Sequence, residues 1–198
     1  MSREKTNTMD INQNLTGVLN DLIQINNDRI EGYARASQEA GDKYIDLKAI
    51  FNRMADESRQ YVAQLSNEII KLGGDPVSGS TIKGKIYRAW MDVKATFTGS
   101  SRLALLESCE FGEDAAQKAY QEALVSDETL SIDIRQLIAT QKELLKASHD
   151  TIKGFRDLQR NASSDNVSDS ERLRDSSFDL RSEDSVNNGT NSGTIRHF

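Results

Sequence analysis

A chain of 198 residues, 36% of them hydrophobic and 28% charged, has the length and apolar content for one sizeable core with an appendage. A single cysteine, Cys109, and two histidines, His149 and His197, exclude a disulfide framework and multi-cysteine zinc modules and leave few imidazole bases or ligands. The net charge of −6 argues against nucleic acid as the main partner, because phosphate binding draws on clustered Lys and Arg.

No run approaches the roughly 18 consecutive apolar residues that a membrane span requires, and residues 1–14 are too charged for the apolar region of a signal peptide. A cytoplasmic chain without a membrane span is expected. One proline and 6% aromatic residues point to helices over a sandwich of short strands.

Apolar residues recur at steps of three and four through four windows, the pattern of amphipathic helices with one buried face. The first covers about 12–40 and carries Leu15, Leu19, Leu22, Ile30, Tyr33 and Ala36, with Gly41 as its stop. The second begins near Asp42 and carries Leu47, Phe51, Met54, Tyr61, Leu65, Ile69 and Leu72. It ends at Gly73-Gly74-Asp75-Pro76, the strongest stop in the chain, since glycine accepts a left-handed cap and proline cannot continue a helix. The third covers about 101–125 with Leu103, Leu106, Cys109, Ala116, Tyr120 and Leu124, and the fourth about 130–160 with Ile134, Leu137, Ile138, Leu145, Ile152 and Phe155.

Short connections make antiparallel hairpins of helices one and two and of helices three and four. The residues between the hairpins, 75–100, are long enough to travel the length of a bundle, which makes helices two and three parallel. This crossover carries Ile82, Ile86, Trp90, Val93 and Phe97 at helical spacing, so a short fifth helix with Trp90 docked on the bundle is expected there. Lys83, Lys85, Arg88 and Lys94 on the same segment read as a solvated face, with a basic patch as the alternative. Residues 1–160 thus form the bundle domain.

From Asn161 to Phe198 the composition shifts to nine serines, seven acidic and four basic residues with isolated apolar positions. Tail and body then carry −3 each, so neither is polarised. Ordering costs about 1–2 kcal/mol per residue, more than so polar a tail can offset by burial, and residues 161–198 are expected to be disordered.

An internal similarity links the hairpins. Asn26, Tyr33 and Ala36 in helix one stand at steps of seven and three, as do Glu113, Tyr120 and Ala123 in helix three. Seven residues is nearly two turns, so each trio lies along one stripe.

The run Leu19-Asn20-Asp21-Leu22-Ile23 with Tyr33, the ending Leu72-Gly73-Gly74-Asp75-Pro76, the crossover Arg88-Ala89-Trp90-Met91-Asp92-Val93-Lys94, and Glu110-Phe111-Gly112-Glu113-Asp114-Ala115-Ala116 with Tyr120 occur in that order. Over about residues 10–158 the chain resembles a bacterial domain-of-unknown-function family of the ferritin-like superfamily. The resemblance implies an all-α, ferritin-like four-helix bundle, and no reaction.

Ferritin-like proteins that hold two metal ions place one carboxylate on each of two helices and a Glu-x-x-His pair on each of the other two. Here the stripe position on helix one is the amide Asn26. On helix two Glu57 is followed three later by Gln60, while the apolar register turns Ser58 and Tyr61 inward. Helix three keeps Glu113, with Glu110 a turn earlier, and on helix four His149 follows Lys146 where a carboxylate belongs.

No intact di-metal site, no cofactor and no catalytic residue is therefore expected. Glu113 reads as an inward carboxylate in a polar layer, held by Asn26, Ser58, Tyr61 or Gln141, since an unpartnered buried charge is costly. His149 reads as a boundary residue, Cys109 as a small buried hydrophobe, and Tyr33, Tyr61 and Tyr120 as core aromatics. The glycine-rich 73–81 lacks a Gly-Lys-Ser/Thr ending and follows a helix, so no phosphate loop is expected.

The expected role is a non-enzymatic, stress-associated structural or protein-interaction module, self-associating or bound to a protein partner. The alternative is a di-iron or di-manganese oxidase or iron-handling protein with an irregular ligand set drawn from Glu31, Glu57, Glu110, Glu113 and His149.

Overall fold

The computed structural model describes the backbone of residues 2–79, 101–126 and 130–183 and the side chains of 11–79, 101–125 and 130–163. These form four helices, α1 Ser2–Ala40, α2 Ile45–Lys71, α3 Arg102–Ser126 and α4 Ile132–Glu183, with no strand among the described residues. The expected crossover helix, with Trp90 and the lysines and arginine around it, lies outside the described residues.

The helix boundaries have local causes. Gly41 at φ 51° takes the left-handed conformation that ends α1. At the end of α2, the Gly73 N–H donates to the Ile70 carbonyl and the Gly74 N–H to the Ile69 carbonyl, both at 3.0 Å, a pattern that satisfies the last carbonyls and needs Gly73 at φ 80°. Gly74 also packs closely, since a Cβ there would stand 2.8 Å from the Thr16 side chain. Ser101 and Ser131 cap α3 and α4, their Oγ atoms accepting from the N–H of Ala104 at 3.1 Å and Ile134 at 3.3 Å.

The connection after α2 turns back along α1. Asn12 donates to the Leu72 carbonyl, Asn20 accepts from the Val77 N–H at 2.9 Å, and Asn27 donates to the Gly79 carbonyl at 3.0 Å. Rising numbers on both strands of this contact show the chain running back towards the end of the bundle where α2 began. There Arg102, the first residue of α3, grips Asp46 in the first turn of α2 with both Nη atoms. α2 and α3 are accordingly parallel.

Cross-contacts fix the other orientations. Tyr33 meets Glu113 and Asn26 meets Tyr120, so α1 and α3 are antiparallel. Glu110–Arg156 and Tyr120–Gln141 make α3 and α4 antiparallel. This is the ferritin-like four-helix bundle with one long crossover.

The apolar core is in two parts. Leu19, Leu22, Leu65, Ile69, Ile138 and their neighbours fill one end, and Leu47, Phe51, Met54, Leu105, Leu106 and Ile152 fill the other. Between them lies a layer of buried polar side chains: Asn26, Arg29, Ser58, Glu113, Gln141 and Ser148.

The chain divides into two compact units, residues 1–157 and 158–198. In the second, the backbone is helical to Glu183, and residues 184–198 lie outside the described residues. The helical backbone thus reaches 23 residues beyond the expected end at Arg160. Residues 161–183 contain neither Gly nor Pro, and once a helix is nucleated each further residue adds a hydrogen bond for one pair of dihedrals fixed.

Candidate functional site

The polar layer is organised around one arginine. Arg29 on α1 is fully buried, and its Nε and Nη2 donate to Glu113 Oε1 on α3 at 3.1 and 2.5 Å. Its Nη1 donates to Ser58 Oγ on α2 at 2.6 Å, and Ser58 in turn donates to the Met54 carbonyl. The Tyr33 hydroxyl donates to the same carboxylate oxygen, and the guanidinium lies 5.5 Å from the Tyr33 ring centre.

Burial works against the charge of Arg29, and the negative charge of Glu113 more than restores it, so the guanidinium is held ionised. Burial, with Glu113 beside it, pushes the Tyr33 hydroxyl well above its ordinary range and keeps it a hydrogen-bond donor. Cys109 is also buried and its thiol is pushed up, first by burial and then by Glu113, which leaves it unreactive.

A second string of hydrogen bonds runs across the layer. Asn26 donates to the Leu22 carbonyl at 2.8 Å and to the Tyr120 hydroxyl at 2.7 Å. Tyr120 donates to Gln141 Oε1 at 2.8 Å, and Gln141 donates to Gln64 Oε1 at 2.7 Å. The string thus joins α1, α3, α4 and α2.

The two stripes seen in the sequence interlock reciprocally. Asn26 of the first pairs with Tyr120 of the second, and Glu113 of the second with Tyr33 of the first. Arg29 breaks the symmetry. Its counterpart three residues after Glu113 is the small, buried Ala116.

The expected holders of Glu113 need correction. Of Asn26, Ser58, Tyr61 and Gln141, none donates to it; Arg29 and Tyr33 do, and Ser58 acts one step away through Arg29. Tyr61 is buried, and burial with Glu57 nearby pushes its hydroxyl up to about 12.

The remaining members of the alternative ligand set are scattered. Glu31 is exposed on α1. Glu57 is half-buried and accepts from Ser148 Oγ at 3.0 Å, while Glu110 is paired with Arg156. His149 stands at the rim, with Nε2 3.1 Å from Asp114 and Nδ1 3.1 Å from Asp150, its two nitrogens turned to different carboxylates. The inward residues of α4 are instead Leu145 and Ser148.

These residues do not fit a di-metal centre. At the places where two carboxylates and two Glu-x-x-His pairs belong, the inward side chains are Asn26, Glu113, Ser58 with Tyr61, and Leu145 with Ser148. One carboxylate remains, with a guanidinium on it. Among the described residues, no three of His, Cys, Asp and Glu stand together where they could hold a metal ion.

Asp28, beside Arg29 in sequence, is 4% exposed, and burial, reinforced by the charge of Glu31, pushes its carboxyl up to about 7. Since this lies above the ordinary 3.8, the contribution to stability is full below about pH 4 and is lost as pH rises through 7. Asp28→Asn is expected to raise stability at pH 8 by about 1–2 kcal/mol and to flatten the decline between pH 4 and 7. Thermal melts across that range check this, and an unchanged profile would refute it.

Comparison with known proteins places the arrangement. The model of the family described as Domain of unknown function (DUF2383) matches residues 14–126. Among solved structures, a bacterioferritin from Desulfovibrio desulfuricans, described with its diiron site in different catalytic states, is 22% identical with a TM-score of 0.66, over 78% of this chain and 84% of that one. A Dps1 mutant from Mycobacterium smegmatis is 12% identical with a TM-score of 0.64, over 74% and 97%. A ferritin-like, diiron-carboxylate protein from Bacillus anthracis str. Ames is 15% identical with a TM-score of 0.55, over 75% and 96%. The likeness to these structures is one of fold. No curated protein matches.

Proposed function

The chain belongs to the family described as Domain of unknown function (DUF2383), and from that premise we propose that it is a ferritin-like bundle whose centre is closed by an internal ion pair in place of metal ions. It acts through its surface, as a structural or protein-interaction module without enzymatic activity. The buried Arg29 guanidinium, seated on the inward Glu113 carboxylate, carries this reading.

The physical argument is one of charge. Two divalent ions need several anionic oxygens around them, and a fixed positive charge a few ångströms away opposes them strongly in a low-dielectric interior. Glu113 already has its counter-charge. Oxygen and nitrogen donors that could complete a coordination shell are replaced at the neighbouring positions by hydroxyls and by Leu145.

What remains available for function is the outside. Ile70, Phe111 and Leu144 are large apolar side chains exposed on α2, α3 and α4, and a shallow groove between α2 and α4 is lined by Gln64, Asn67, Ile70, Lys71 and Leu137. No helix among the described residues is long and apolar enough to cross a membrane. A cytoplasmic, stress-associated setting and self-association or binding of a protein partner through an outer face complete the proposal; the setting rests on the family resemblance alone.

Metal analysis of the full chain, purified from cells grown with added iron and manganese, tests it. Substoichiometric metal with no oxygen-dependent iron oxidation is the expected result. About two ions per chain, lost in Glu113→Gln, would establish the di-metal alternative.

A further inference from the structure

The hydrogen-bonding groups of the central layer do not balance among themselves. A guanidinium has five N–H donors. Arg29 directs two of them to Glu113 Oε1 and one to Ser58 Oγ, which leaves two. Both amide hydrogens of Asn26 are taken, by the Leu22 carbonyl and the Tyr120 hydroxyl. Among the described residues, two acceptors have no partner: Glu113 Oε2 and Asn26 Oδ1, on residues 1% and 0% exposed.

The unmatched groups belong to residues tied to Arg29 by sequence or by contact. Arg29 follows Asn26 by one turn on the same face of α1, and a long helical side chain leans back over the preceding turn. Glu113 Oε2 belongs to the carboxylate that Arg29 already holds. The Tyr120 hydroxyl, which accepts from Asn26, also feels the Arg29 charge.

We infer that the layer is a built site for one water molecule, which accepts from the remaining Arg29 hydrogens and donates to Glu113 Oε2 and Asn26 Oδ1. Water is what this chemistry selects. It brings two hydrogens for two acceptors and two lone pairs for the guanidinium, four hydrogen bonds in all, the upper end of the roughly two to four that a buried water makes. Arg29 and Glu113 already cancel in charge, so ammonium or a metal ion would add an unbalanced charge to the interior, and an anion would face two acceptors.

The inference rests on the ion-pair reading of the centre, and one experiment separates the two. Crystals of the full chain from iron-supplemented cells are measured both to high resolution and at the iron absorption edge. One ordered water within hydrogen-bond reach of Arg29, Glu113 and Asn26, without anomalous signal, is expected. An anomalous peak on Glu113 overturns the ion-pair reading itself. With no such peak, a Glu113 carboxylate turned to take one Arg29 hydrogen bond on each oxygen, and no water beside it, overturns the water alone. In solution, deuteron relaxation dispersion counts long-lived internal waters. Arg29→Met combined with Glu113→Leu, which removes the guanidinium and the carboxylate together and leaves a water only the Asn26 acceptor, should show one fewer than the wild type; an equal count overturns the inference.

Discussion

Arg29→Met is expected to destabilise the bundle by about 3–5 kcal/mol, because it strands the Glu113 carboxylate without its counter-charge in a low-dielectric interior. For a chain of this size that is a fall in melting temperature of roughly 6–20 °C. The Ser58 hydroxyl and the Tyr33 ring lose a partner in the same step. Arg29→Met combined with Glu113→Leu should recover most of the loss or exceed the wild type, since a buried ion pair replaced on both sides by apolar groups is commonly neutral or stabilising by about 1–4 kcal/mol. Denaturant unfolding of the wild type, both single variants and the double variant measures the coupling directly. A single variant as stable as the wild type would show that Glu113 is solvated or protonated and that the ion pair does not organise the layer.

Phe51→Ala is expected to cost about 3–5 kcal/mol, the usual range for removing a buried ring from a packed core. Phe51 is fully buried, with its ring centre 5.8 Å from that of Tyr33 in a tilted contact. It forms part of the wall that holds the Tyr33 hydroxyl on Glu113, so the cavity would open next to the polar layer as well as within the apolar cluster. A loss below about 1 kcal/mol would mean that neighbouring side chains collapse into the space. The two substitutions act on adjoining residues through Tyr33, and their combined effect should depart from the sum.

The layer gives this bundle a means of fixing helix register. Buried polar groups find their partners in only one alignment of the helices. Asn26 with Tyr120, Arg29 with Glu113 and Ser58, and Gln141 with Gln64 tie all four helices at one height. A shift by one turn would strand each of them.

Much of this was legible in the residues. Apolar spacing located the helices, the Gly73-Gly74-Asp75-Pro76 stop closed α2, and the long connection implied parallel α2 and α3, which Arg102 on Asp46 and the asparagines along α1 bear out. Glu113 was recognisable as an inward carboxylate, and the paired stripes of Asn26–Tyr33 and Glu113–Tyr120 were visible before their reciprocal hydrogen bonds. Arg29 was missed, although it lies three residues after Asn26 and four before Tyr33 on the same stripe, because arginine is seldom fully buried unless paired and no local pattern names a partner 84 residues away. On α4 the inward residue is Ser148 where His149 was weighed, a difference of one position that rotates a helix face by about 100°.

The sequence alone determined where the helices turn into their connections at Gly41, Gly73 and Ser131, which faces are apolar and how the connections constrain topology, since these depend on periodicity, caps and chain length between neighbouring residues; it did not give the outer ends of α1 and α4. Which polar groups meet at the centre was decided only by the tertiary structure. Their partners come from separate helices, and whether a buried charge is tolerated depends on a counter-charge and donors that packing alone brings within 3 Å or so of it.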